Sequence, residues 1–222
     1  FMLSLLDKKI HTIDEIEAEI KSPIIGEIPK AKNGKKIMIF NDDNKQVGES
    51  FRLLRTNIDF MLSKTQTTSK IIYITSTIRG EGKTYTAINL ASSFALLNKK
   101  VLLLGADLRL PQIASYLKTT TTKGLSNFLT DRNMTMTEII SRYDKSNIDI
   151  ITAGAIPPNP SELFTNGRFD AVLDYAKEHY DYIIVDTSPV HVVTDTLLIA
   201  HHADLFLYIV RANFLDKRLL KI

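Results

Sequence analysis

A polar loop that joins an apolar segment to a helical pattern carries residue types that bind phosphate. The apolar segment, residues 70–76, is rich in β-branched side chains, and the loop after it ends in Gly82, Lys83 and Thr84. Backbone N–H groups in such a loop converge on phosphate oxygens, and the following helix adds its unpaired N-terminal donors. The lysine supplies a mobile positive charge, and the threonine hydroxyl can bind Mg²⁺. The pattern predicts a binding site for a nucleoside triphosphate.

One position of this loop departs from the usual spacing. A glycine normally stands six residues before the lysine, and this chain has Thr77 there. Gly80 and Gly82 keep the tight part of the loop, and residues 82–97 show the apolar spacing of a helix. The residues predicted to contact the nucleotide are Arg79, Gly80, Glu81, Gly82, Lys83, Thr84 and Tyr85.

Two acidic residues at the ends of apolar segments could hold a metal ion beside the phosphates. The run 182–185 stops at Asp186, where a magnesium ligand that acts through water belongs. Asp107 follows the run 101–104 and could orient an attacking hydroxyl or hold Mg²⁺ through water. Each also has an ordinary structural interpretation, as a cap on the next turn for Asp186 and as a turn residue before Pro111 for Asp107. The predicted metal ligands are Thr84, Asp107 and Asp186.

Alternating apolar and helical segments position these residues. Strands are predicted at 71–75, 101–104, 148–152, 182–185 and 205–210, and helices at 46–63, 82–97, 124–131, 137–143, 161–179 and 195–202. This alternation is typical of an α/β fold of the P-loop NTPase type, a mostly parallel sheet with helices on both faces. The carboxyl ends of parallel strands meet at one edge, where the ligand should lie.

The N-terminal part reads differently from the rest. Thr12 and Glu15 form a capping box for a short helix to about Lys21, and an extended piece follows at 23–29. Two polar linkers, 30–36 and 41–45, then lead to the amphipathic helix at 46–63. We therefore expect a helical and extended appendage with linker over residues 1–45 and a P-loop domain over 46–222.

Composition excludes several classes of function. The 222 residues carry a formal net charge of +3, too mild to indicate nucleic acid as a partner. The chain has no cysteine, which rules out disulfides and thiolate chemistry. No apolar run approaches the roughly 20 residues that span a bilayer, and no signal peptide is recognisable. The spacing of the histidines, His179, His191, His201 and His202 among them, predicts no zinc site.

Several segments together resemble the cytoplasmic catalytic domain of bacterial tyrosine kinases (BY-kinases). Residues 80–84 resemble the family's Walker A motif, 101–111 its Walker A′ motif and 183–189 its Walker B motif. Residues 49–55 resemble its Glu-x-x-Arg-x-x-Arg helix, and residues 153–163 are also typical of the family. The family is attached to polysaccharide co-polymerases that control capsule and exopolysaccharide export. The likeness covers nearly the whole chain.

The resemblance implies an ATP- and Mg²⁺-dependent tyrosine autokinase that acts mainly in trans. Lys83 would neutralise the β- and γ-phosphates, Asp186 would hold the metal, and Asp107 would orient or deprotonate the tyrosine hydroxyl. The row Glu49, Arg52 and Arg55 would form contacts in a ring-like homo-oligomer; without the resemblance it reads as a solvated helix face.

The resemblance also implies partners and a location. The partners would be a transmembrane activator or co-polymerase, fused or separate, and the tyrosine-rich C-terminal tail of a neighbouring subunit. The place would be the cytoplasmic face of the bacterial inner membrane, with residues 1–45 juxtamembrane-like. Adenine contacts are expected near residues 211–214. Tyr73, Tyr182 and Tyr208 lie in predicted strands and are expected in the core rather than as substrates.

One departure from the family pattern leaves an alternative open. Relatives usually carry an acidic residue where this chain has Gly105, so that a water or Glu81 would have to compensate. The alternative is an ATP-binding switch with little kinase activity that controls assembly of the export machinery. A partitioning-type ATPase is disfavoured, because residues 77–79 lack the additional lysine of that group.

Overall fold

The computed structural model describes residues 8–30 and 45–220. The greater part of the two predicted linkers, residues 31–44, lies outside the described residues. Within the described ranges, no helix has both the length and the apolar character that a membrane span requires.

A single sheet organises the described residues. Its strands are β1 (Lys70–Ser76), β2 (Val101–Gly105), β3 (Ile140–Tyr143), β4 (Ile148–Ile151), β5 (Tyr182–Asp186) and β6 (Leu205–Ile209). Their order across the sheet is β3-β4-β2-β5-β1-β6, and all neighbours run parallel except the antiparallel pair β3 and β4. The register places Asp186 beside Ile74 on one side and Gly105 on the other. The ends of β1, β2 and β5 therefore meet at one edge.

Helices cover both faces of this sheet, as the alternation of apolar runs predicts. They are α1 (Ile13–Glu17), α2 (Lys45–Leu62), α3 (Lys83–Ala95), α4 (Ile113–Leu117), α5 (Leu125–Thr130), α6 (Pro160–Phe164), α7 (Arg168–His179) and α8 (Asp195–Leu198). Successive side chains of β1 point to opposite faces. Ile72 and Ile74 pack with α2 and α3, and Ile71 and Tyr73 pack with α5 and α7. The predicted α/β fold is confirmed.

The helix predicted at 137–143 is wrong. A short 3-10 helix spans Met136–Glu138, and the chain then forms β3, which pairs with β4. Arg142 and Asp149 lie opposite each other in that pair and form an ion pair at 2.8 Å. Asn147 adopts a φ of 53° in the turn between the strands. The hairpin replaces the helix because pairing with β4 supplies this short segment with cross-strand hydrogen bonds and side-chain contacts that an isolated helical turn lacks.

Two other predicted helices differ in detail from the structure, and one helix was not predicted. The segment 161–179 is divided into α6 and α7 at Gly167, whose φ of 78° no helix interior accommodates. The segment 195–202 contains α8 and then a 3-10 helix at Ala200–His202. The short helix α4 was not predicted.

The N-terminal segment packs against the other end of the described chain. The capping box of Thr12 and Glu15 is present at the start of α1, as predicted. Ile10 is buried against Leu215 and Leu220. Glu15 Oε1 accepts a hydrogen bond from Lys217 Nζ at 2.5 Å, which lowers the pKa of Glu15 to about 2. The division of the chain at residue 45 stays a prediction.

Candidate nucleotide-binding site

The loop between β1 and α3 has the backbone conformation that its two glycines predict. Gly80 and Gly82 have φ values of 86° and 104°, in the left-handed region that side chains rarely adopt. Gly82 is the N-cap of α3, so the free N–H groups of the first helical turn face the loop. A Cβ on Gly80 would also lie 3.1 Å from the ring of Phe214.

Glu81 closes the loop on itself. Its buried carboxylate accepts hydrogen bonds from the Ile78 backbone N–H at 2.8 Å and from the Arg211 backbone N–H at 3.3 Å. Burial raises the pKa of Glu81, against these hydrogen bonds and the charge of Lys83. Arg211 in turn donates from Nη1 to the Gly80 carbonyl at 2.8 Å. Because Glu81 is held here, it does not replace the carboxylate that Gly105 lacks.

Lys83, Thr84 and Asp186 meet where α3 begins. Lys83 is the first residue of α3 and is buried. The Thr84 hydroxyl donates to Asp186 Oδ2 at 2.6 Å. The other oxygen, Asp186 Oδ1, is buried and has no hydrogen-bond partner among the described residues. An unpartnered carboxylate oxygen beside a threonine hydroxyl is the oxygen-rich donor set that Mg²⁺ binds.

The surroundings of Asp186 disfavour its ionised form in the absence of a cation. Burial raises its pKa to about 7, and the nearby charge of Asp107 acts in the same direction. The Thr84 hydrogen bond and the charge of Lys83 oppose this shift. A cation bound here would favour the ionised carboxylate.

Asp107 lies in the turn before Pro111, and its role toward a hydroxyl or Mg²⁺ stays a prediction. Its Oδ1 accepts from the Leu110 backbone N–H at 3.1 Å, which makes it a turn residue. The same oxygen accepts from Ser188 Oγ at 2.9 Å, which ties the turn to the segment after β5. Gly105 leaves little space for a side chain, because a Cβ would lie 3.1 Å from Ala153 N and 3.2 Å from Ile113 Cδ1.

A cavity of about 280 Å³ opens beside the two carboxylates. Asp107 and Asp186 line it together with Gln112, Thr121 and Thr152. Thr152 Oγ1 is buried and, within the described ranges, lacks a hydrogen-bond partner, like Asp186 Oδ1. Unpaired buried polar atoms are costly, and here they lie where a polar ligand can pair with them.

An ion pair that the sequence analysis missed joins the turn after Asp107 to α8. Arg109 donates from Nε to Asp195 Oδ2 at 2.7 Å and from Nη2 to Asp195 Oδ1 at 3.0 Å. Ser161 Oγ also donates to Asp195 Oδ1, at 2.6 Å. Burial raises the pKa of Asp195, but these hydrogen bonds outweigh it and leave the pKa below its ordinary value. The only sequence signal was that Arg109 and Ser161 belong to segments with family-like motifs.

The predicted oligomer face is divided between two environments. Glu49 and Arg52 are exposed on α2 and form an ion pair with each other. Arg55 instead donates from Nη1 to the Ser93 carbonyl of α3 at 2.5 Å. Arg55 therefore fastens α2 to α3 in its own chain, and the intersubunit role of the row stays a prediction.

The tyrosines in strands divide between buried and exposed. Tyr73 is fully buried, and Tyr182 is partly buried and donates to Asp59 Oδ1 at 2.6 Å. Tyr208 is 37% exposed on the edge strand β6, so its predicted core position is wrong. Its hydroxyl and Thr77 Oγ1 lie 2.8 Å apart and share a hydrogen bond. Thr77 is the residue that stands where a glycine is usual.

Comparisons with known proteins show what the chain is similar to. The family model described as an AAA domain matches residues 69–214. The chain is 36% identical over 179 residues to tyrosine-protein kinase CpsD of Streptococcus agalactiae serotype III (strain NEM316), covering 78% of this chain and 75% of that protein.

Solved structures are similar over nearly the whole chain. The chimerical protein CapA2B2 superposes with a TM-score of 0.85 at 31% identity, covering 95% of this chain and 90% of that one. The kinase domain of Escherichia coli tyrosine kinase ETK also has a TM-score of 0.85, at 28% identity, covering 95% of this chain and 86% of that one.

Proposed function

The chain belongs to the bacterial tyrosine-protein kinase family, and we propose that it transfers the γ-phosphoryl group of ATP to protein tyrosine. The observation that carries this proposal is the convergence of Lys83, Thr84, Asp186 and Asp107 at one edge of the sheet. These groups supply the positive charge, the metal ligands and the carboxylate that phosphoryl transfer needs.

In the reaction, the tyrosine oxygen forms a bond to the γ-phosphorus as the bond from phosphorus to the ADP oxygen breaks. The loop N–H groups and Lys83 hold the phosphates and offset their negative charge. Asp107 lies next to the cavity, where it orients the tyrosine hydroxyl and accepts its proton. Thr84 and Asp186 would hold Mg²⁺, which when bound neutralises charge on the phosphate oxygens.

We also propose that the transfer runs between neighbouring subunits of a ring-like homo-oligomer. The exposed pair of Glu49 and Arg52 supports this, since it is available for contact outside the chain. A tyrosine-rich tail of the neighbouring subunit is then the acceptor. A transmembrane co-polymerase at the cytoplasmic face of the inner membrane is the activator, in capsule or exopolysaccharide production.

Transfer of labelled phosphate tests the proposal. The protein is incubated with γ-labelled ATP, Mg²⁺ and a tyrosine-containing acceptor peptide, and phosphotyrosine is measured. Lys83→Met and Asp107→Asn should each lower the rate by at least about 100-fold, since each removes a group that acts on the transition state. Lys99→Met and Asp174→Asn change the same residue types at exposed positions and should leave the rate unchanged.

Two results would contradict the kinase. Unchanged phosphotyrosine in Lys83→Met would show that the label is transferred at another site or by a contaminant. ATP-dependent assembly with no phosphotyrosine would indicate instead the ATP-binding switch, in which the missing carboxylate at Gly105 has removed the transfer step.

A further inference from the structure

Three side chains that can bind a metal ion meet away from the phosphate loop. Asp170 lies in the first turn of α7, and His201 and His202 lie in the 3-10 helix just before β6. One ligand atom from each lies within 4.8 Å of the others. His202 Nε2 and Asp170 Oδ1 are 2.8 Å apart. Spacing along the chain could not reveal this group, because Asp170 is distant in sequence.

Packing holds the central ligand of this group in place. The His202 side chain is only 14% exposed. Its ring lies 3.9 Å from the His201 ring and 5.9 Å from the ring of buried Phe169, measured between centroids. These tilted ring contacts and the burial of His202 restrict the imidazole, whose Nε2 lies 2.8 Å from Asp170 Oδ1. A ligand that is already ordered loses little conformational entropy when it binds an ion.

The other two ligands are open to solvent. Asp170 and His201 are exposed, so an ion can enter and their side chains can adjust. A tetrahedral ion with bonds of about 2.0–2.1 Å needs ligand atoms roughly 3.3 Å apart. His202 Nε2 and Asp170 Oδ1 lie 2.8 Å apart and all three ligand atoms lie within 4.8 Å of one another, so small side-chain rotations suffice to reach that value.

The donor set selects the class of metal. Two imidazoles and one carboxylate suit Zn²⁺ and its neighbours Co²⁺ and Ni²⁺, whereas Mg²⁺ prefers oxygen ligands alone. We propose that Asp170, His201 and His202 form a binding site for a divalent ion of the zinc type. Three protein ligands leave a fourth position for water or for a group from another molecule.

This site is separate from the phosphate loop. The side chains of α7 pack into the core on one face of the sheet, and those of α3 pack on the opposite face. An ion at the group would join the start of α7 to the segment that enters β6. The site therefore does not depend on the proposed kinase activity and can be tested without nucleotide.

Titration with Co²⁺ and Zn²⁺ tests the site directly. The untagged protein is titrated in excess Mg²⁺ without nucleotide, by calorimetry and by the visible absorption of tetrahedral Co²⁺. We expect one ion per chain with a Kd in the micromolar range or tighter. Asp170→Asn and His201→Ala should each weaken binding at least about tenfold, because each removes one of three ligands. Both residues are exposed, so neither change should unfold the protein.

A matched variant separates this site from adventitious binding. His191→Ala removes an exposed histidine outside the group and should bind both ions as the unchanged protein does. The proposal is overturned if the Kd for both ions is above about 1 mM, which corresponds to a binding free energy of only about 4 kcal/mol. It is also overturned if Asp170→Asn and His201→Ala bind like the unchanged protein.

Discussion

Breaking the ion pair between Arg109 and Asp195 should have unequal effects depending on which partner is removed. The Asp195 side chain is 1% exposed, whereas that of Arg109 is 35% exposed. If Arg109 is replaced by methionine, the carboxylate stays buried and, among the residues that the structure describes, keeps the Ser161 hydroxyl as its side-chain hydrogen-bond donor. If Asp195 is replaced by asparagine, the guanidinium can turn toward water. We therefore expect Arg109→Met to destabilise the protein more than Asp195→Asn.

The structure sets the size of this difference. An unpaired buried charge costs about 3–5 kcal/mol, which we expect for Arg109→Met. Asp195→Asn loses charge-assisted hydrogen bonds to Arg109, whose side chain is 35% exposed, and should cost about 1–2 kcal/mol. A surface pair offers the matched control, since Arg142 and Asp149 are 47% and 24% exposed. Arg142→Met should cost less than about 1 kcal/mol.

The two variants should also differ in their response to pH. In the unchanged protein the pKa of Asp195 lies below its ordinary value, so the pair adds stability at neutral pH. Without Arg109, burial acts with less opposition and raises the pKa of the folded state above the unfolded value. The folded state then binds more protons, and the stability of Arg109→Met should fall as pH rises from about 4.

Urea denaturation followed by circular dichroism at pH 5 and pH 8 measures both effects. Equal losses in Arg109→Met and Asp195→Asn, or a larger loss in the latter, would refute the reasoning from burial. A pH-independent stability difference between Arg109→Met and the unchanged protein would refute the assignment of the cost to the buried carboxylate.

Further predictions concern Asp186, the proposed metal ligand, and three glycines. Binding of Mg²⁺ with ADP, measured by calorimetry, should weaken by up to about tenfold for each pH unit below 7, because Asp186, with a pKa of about 7, takes up a proton. Asp186→Asn should abolish this pH dependence. Gly105→Asp should lower stability by about 1–3 kcal/mol in urea titrations, because its Cβ would lie 3.2 Å from Ile113 Cδ1, and added Ile113→Ala should recover part of the loss. Gly124→Ala should lower the free energy of unfolding by about 3 kcal/mol or more, since its Cβ would lie 2.3 Å from a backbone carbonyl oxygen. Gly48→Ala, at a helical position with free space, should raise the free energy of unfolding by about 0.5–1 kcal/mol. A lower free energy of unfolding in Gly48→Ala would contradict the contact argument.

Local patterns predicted the fold well where one element has one clear signal. The strands β1, β2, β4, β5 and β6 and the helices α2 and α3 follow their predictions, because apolar runs and helical spacing are properties of neighbouring residues. The strand β3 was missed because its stability comes from pairing with β4. The division at Gly167 depends on a backbone angle that composition alone does not indicate.

The sequence by itself determined the conformation of the glycine-rich loop and the position of Asp107 and Asp186 at the ends of two strands, since a glycine-rich turn before a helix and an acid after an apolar run are local features; it predicted phosphate binding from them. Only the tertiary structure decided which side chains meet across the sheet. Parallel register brings Asp186 next to Gly105, and the packing of distant segments joins Arg109 to Asp195 and Asp170 to His202. The physical reason is that hydrogen bonds and ion pairs depend on distance in space, which loop paths and side-chain packing set and residue spacing does not.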